Sequence, residues 1–70
     1  MKKLNKGDLV YIPSGAMLHA NDSHGTVQRI MKLAKPANLL ITELSNLHFE
    51  VLYEGEKWLI EKNKTYKVTA

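Results

Sequence analysis

The chain has 70 residues and no cysteine, with ten Lys/Arg against seven Asp/Glu for a formal charge of +3. A chain of this size builds one domain around a thin core. The missing thiols exclude a disulfide staple and a thiolate metal centre, and they fit a reducing compartment. Small folds without such staples draw help from a partner subunit. The basic start, Met1 to Gly7, is not followed by an apolar stretch of signal-peptide length, and no apolar run is long enough to cross a bilayer, so a cytoplasmic location is expected.

Turn signals recur along the chain at Gly7-Asp8, Pro13-Ser14-Gly15, Asn21 to Gly25, Lys35-Pro36, Ser45-Asn46 and Glu54-Gly55. Breakers at roughly eight- to twelve-residue spacing are the rhythm of a small β-barrel or sandwich. The first segment they enclose, Leu9-Val10-Tyr11-Ile12, is rich in β-formers. Thr26 to Ala34 reads two ways. Val27, Ile30, Met31 and Ala34 form a helical stripe, whereas Val27, Met31 and Leu33 suit a strand with a bulge. The strand is preferred, because so short a helix is marginal alone and every neighbour reads as β.

Leu39-Leu40-Ile41-Thr42 is a further strand. Leu47, Phe49, Val51 and Tyr53 then alternate with His48, Glu50, Leu52 and Glu54, which predicts a half-buried antiparallel strand with the first set inward. Glu54-Gly55 closes a tight hairpin. The return strand turns Trp58 and Ile60 inward, with Lys57 and Glu61 outward beside Leu59. Residues 62–64 suit one 3₁₀ turn, and Tyr66 and Val68 form a last short strand. The expected fold is a single all-β domain over 1–70, of five to six antiparallel strands, with 1–6 as a frayed basic lead.

From Lys35 to Val68 the chain resembles the C-terminal half of a bacterial SH3-type (SH3b) domain. Pro36 precedes a strand, Phe49 holds the aromatic position, Gly55 is the hairpin glycine, Trp58 the tryptophan and Tyr66 the closing tyrosine. The opening Gly7-Asp8-Leu9-Val10-Tyr11-Ile12 is similar to the first strand of many SH3-like barrels. The resemblance implies a small SH3-like barrel, similar in kind to stand-alone accessory proteins of phages and bacteria. The family usually has Trp where Phe49 stands and is usually attached to a secreted wall hydrolase, so a wall-targeting role is not implied.

No nucleophile motif or phosphate-cradling glycine loop suggests catalysis, the paired carboxylates Glu54 and Glu56 read as solvated residues flanking a hairpin turn, and no cofactor is expected. His19, Asp22 and His24 are read as one solvated polar loop rather than a metal site, and His48 as a surface residue. Lys2, Lys3 and Lys6 open the chain, Arg29, Lys32 and Lys35 lie in the middle and Lys62, Lys64 and Lys67 close it, while residues 43–61 hold Glu43, Glu50, Glu54, Glu56 and Glu61 against Lys57 alone. With first and last strands side by side, as in SH3-like barrels, Lys2, Lys3, Lys6, Lys62, Lys64 and Lys67 would share one face with Tyr11 and Tyr66. The expected activity is binding of a protein partner or self-association. A nucleic-acid partner on the lysine face is the alternative, and a ligand or cell-wall glycan a second.

Overall fold

The computed structural model describes residues 4–22 and 24–68. Seven strands form one antiparallel sheet: β1 (Leu9–Ile12), β2 (Met17–Asn21), β3 (Val27–Lys32), β4 (Ala37–Leu44), β5 (His48–Tyr53), β6 (Glu56–Glu61) and β7 (Tyr66–Lys67). The single 3₁₀ turn is Lys62–Lys64, and no α-helix occurs among the described residues. The all-β class and the position of the 3₁₀ turn are as the sequence implies. The strand count is not: there are seven strands, not five to six. The additional strand is β2, whose Met17-Leu18-His19-Ala20-Asn21 carries no β-branched residue and no Phe, Tyr or Trp, and is built by pairing rather than propensity. The ambiguous segment is the strand β3, paired with β2 across an irregularity at Ala20/Asn21.

The strand order is β3-β2-β6-β5-β4-β1-β7. Two connections in it are demanding. β1 and β2 are four strand spacings apart, as are β3 and β4, and a flat sheet would separate each pair by roughly 19 Å. Each connection is only four residues long, residues 13–16 and 33–36. Such a link spans at most about 18 Å when fully extended, and the first is not extended. Ala16 N–H donates to the Pro13 carbonyl at 3.3 Å, and Gly15 has φ of 87°. The sheet must therefore curl until its ends approach. The two links are tied where they meet: Gly15 N–H donates to the Leu33 carbonyl at 2.7 Å and Leu33 N–H to the Ala16 carbonyl at 2.8 Å.

The curl gives the sheet an inner face that packs on itself. Val10, Ile12, Leu18, Leu33, Leu39, Ile41, Phe49, Val51, Trp58 and Ile60 form one buried cluster, with no buried polar or charged residue among the described residues. In β1, β4, β5 and β6 these are alternate positions, as a sheet with one dry face requires. Leu47 departs from the expected inward set: it precedes β5 and is exposed. Trp58 is 7% exposed, and its indole N–H is buried with no hydrogen-bond partner among the described residues. The Arg29 guanidinium caps its ring at 4.8 Å and pairs with the Glu56 carboxylate at 2.7 Å, which ties β3 to β6.

Glu54 and Gly55 both take positive φ, 50° and 78°, so the β5–β6 hairpin closes through a two-residue turn of the kind that matches strand twist. Nothing lies within 4 Å of a Cβ built on Gly55, so a larger residue there meets only conformational strain. Gly55→Val is expected to cost about 1–2 kcal/mol, and Gly55→Asn clearly less, in urea midpoints followed by tryptophan fluorescence. Equal losses for the two variants would mean that side-chain bulk, not φ, sets the cost. The two free sheet edges are both guarded. β7 is two residues long, and β3 carries Arg29 and Lys32 beside its irregular pairing, which are devices that discourage edge-to-edge association.

Candidate binding face

Because the alternate positions of β1, β4 and β5 are spent on the core, their other residues turn outward, and several are large and apolar. Leu9 stands opposite Leu40, and Leu40 opposite Leu52, so three leucines from adjacent strands line up across the outer face. Leu9 is 50% exposed and Leu40 and Leu52 are each 38% exposed. Lys57 continues the row, being the partner of Leu52 on β6. Beside it, Tyr11 stands opposite Tyr66, their ring centroids 6.3 Å apart and tilted by 55°. Tyr11, Asn38, Lys67 and Val68 line a shallow cleft of about 340 Å³.

The pairing of β1 with β7 brings together part of the residue set expected from the sequence. Tyr11, Tyr66 and Lys67 are neighbours at that end of the sheet. Lys64 is exposed in the 3₁₀ turn just before β7, with no salt bridge among the described residues. Lys6 is instead committed to Glu43, its ammonium 2.9 Å from the carboxylate. That hydrogen bond and charge raise the Lys6 pKa above the ordinary lysine value. Lys62 lies with its ammonium 5.3 Å over the Phe49 ring. It also borders a different groove, of about 230 Å³, with Asn46, Leu47, His48, Glu61 and Asn63. Lys2 and Lys3 lie outside the described residues.

The leucine row was not singled out from the sequence, although a signal for it exists. Leu39-Leu40-Ile41 is apolar on both faces of a strand. Such a run belongs to a strand covered on both sides, or to one with an apolar outer face left open. The histidines are also placed differently from the expectation. His19 is on β2 and not in a loop with Asp22 and His24. Asp22 closes the β2–β3 turn, its carboxylate accepting the backbone N–H groups of His24 at 2.9 Å and Thr26 at 3.0 Å.

No family model, curated protein or solved structure matches the chain. Among the described residues no helix is long and apolar enough to cross a membrane.

Proposed function

We propose that this chain is a non-catalytic protein-binding module of SH3-like type, docking its partner on the outer face of β7, β1, β4 and β5. The observation that carries this reading is the in-register row Leu9–Leu40–Leu52 flanked by the Tyr11–Tyr66 pair. A contiguous apolar patch on a small domain is a site of association, and tyrosines are favoured anchors at interfaces. An SH3-like assignment is supported by the adjacency of β1 and β7, the 3₁₀ turn before the closing strand, and the Gly55 hairpin.

The face carries charges of both signs: Lys57 continues the leucine row on β6, and the Glu50 carboxylate lies 3.9 Å from its ammonium. Its apolar row suits a foreign protein or a second copy of the chain alike. The nucleic-acid reading draws on Tyr11, Tyr66 and Lys67 as a stacking surface, but Lys6 and Lys62 are turned to other contacts.

The test is capture from native cytoplasm with immobilised wild type, Leu40→Asp and Tyr66→Ala. A specific protein is expected to be retained by wild type at moderate salt and lost by both variants, each shown to be folded by circular dichroism. Retention unaffected by either substitution would sink the proposal. So would a preparation that binds only DNA or heparin and releases it as salt rises.

A further inference from the structure

His19 and His48 are far apart in sequence and on different strands, yet their rings meet. His19 is the cross-strand partner of Leu59, and His48 that of Glu61. Leu59 and Glu61 share a face of β6, so the two imidazoles reach toward each other across β6 on the outer side of the sheet. Their ring centroids are 5.3 Å apart, and the ring planes cross at 86°. Both residues are half-buried and thus open to solvent.

From this geometry we propose that the His19–His48 pair is a binding site for a borderline divalent transition ion of the Zn²⁺ or Ni²⁺ type. With a metal–nitrogen bond of about 2.0–2.1 Å and near-tetrahedral angles, two imidazoles on one ion hold their centroids roughly 5 Å apart. His19 and His48 already stand at that spacing. The χ2 torsion of histidine is soft, so rotating the rings turns one nitrogen of each toward a common point while the strands stay in place. Neutral imidazole suits these ions, whereas Ca²⁺ and Mg²⁺ demand oxygen ligands.

The surrounding charge is favourable. Glu61 is directly opposite His48, and Glu50 lies two residues along β5 on the same outer face. Opposing them are Lys57, 3.9 Å from the Glu50 carboxylate, and Lys62, which is drawn over Phe49. Among the described residues no group of three or more His, Cys, Asp or Glu is placed to hold a metal. The site is therefore a two-imidazole chelate with water in its remaining positions, exchangeable rather than structural. Because its ligands come from β2 and β5, the ion clamps two strands that do not pair with each other and stabilises the folded state by mass action.

The test is a titration of tag-free protein with ZnCl₂ and separately NiCl₂, read by calorimetry and by the histidine ring signals in NMR. One ion is expected to bind, with His19 and His48 ring signals moving or broadening together and His24 unchanged. His19→Gln and His48→Gln should each weaken binding by about a hundredfold, because loss of either ring turns a chelate into a single contact. His24→Gln should leave affinity at the wild-type value. Circular dichroism of each variant without metal establishes that it is folded, and His19→Asn or His48→Asn replaces any that is not. The inference is overturned if folded His19 and His48 variants keep wild-type affinity, if His24→Gln weakens binding as much, if MgCl₂ gives the same shifts, or if no binding occurs.

Discussion

Trp58→Ala is expected to remove about 3–5 kcal/mol of stability, while Trp58→Phe stays within about 1 kcal/mol of wild type. A chain of this length has in all roughly 4–10 kcal/mol, so the alanine variant should be largely unfolded in mild denaturant. The contrast arises from two opposing terms. The indole fills the core beneath Arg29 and against Val51, its cross-strand partner, and alanine leaves that space empty. Its N–H, however, is buried with no partner among the described residues, and an orphaned donor costs about 1–3 kcal/mol. Phenylalanine keeps most of the volume, gives Arg29 a ring to sit on, and deletes the orphan. Trp58 is the sole tryptophan, so the variants must be compared by far-UV circular dichroism in urea. A phenylalanine variant as unstable as the alanine one would show that the indole N–H contributes a bond after all.

Leu33→Ala should cost about 2–5 kcal/mol, against less than about 0.5 kcal/mol for Leu47→Ala. Both residues lie outside strands, yet Leu33 is 1% exposed and Leu47 is 69% exposed. Leu33 sits in the link from β3 to β4, and its backbone is bonded on both sides to the link from β1 to β2. Truncating it leaves a cavity where the sheet curls over and the chain crosses from one end to the other. Urea melts followed by Trp58 fluorescence give both values. Similar losses at the two positions would remove Leu33 from its place as the plug of the curl.

The elements that could be read from the sequence are those whose local signals agree with their burial. In β5 and β6, Phe49, Val51, Trp58 and Ile60 alternate with more polar positions, and Gly55 supplies the turn. Their burial pattern follows that alternation. Leu47 fails because alternation carries no information about where a strand starts; it falls one residue before β5, where nothing covers it. β2 was missed because Met17, Leu18, His19 and Ala20 have weak β propensity, and their strand exists only through pairing with β3 and β6. Of the expected binding residues, Tyr11, Tyr66 and Lys67 converge because β1 pairs with β7. Lys6 and Lys62 do not join them, since local partners, Glu43 and the Phe49 ring, hold their charges. Net charge by segment shows where lysines are in the chain but not which carboxylate or ring each one meets.

The seam between β2 and β6 is registered at one residue pair, His19 with Leu59, whereas β6 and β5 register six. Along this line the sheet is held less by ladder hydrogen bonds than by side chains: Leu18 in the core below, and Arg29 reaching from β3 to Trp58 and Glu56. Cooperativity in a small domain depends on how its parts are joined, and the least connected part opens at a lower free energy than the whole. The β2–β3 hairpin joins the rest along this seam and through its two bonded links. Its amides are expected to exchange with solvent faster than those of β4 and β5; equal protection across the sheet in native-state hydrogen exchange would show the seam to be as firm as the rest.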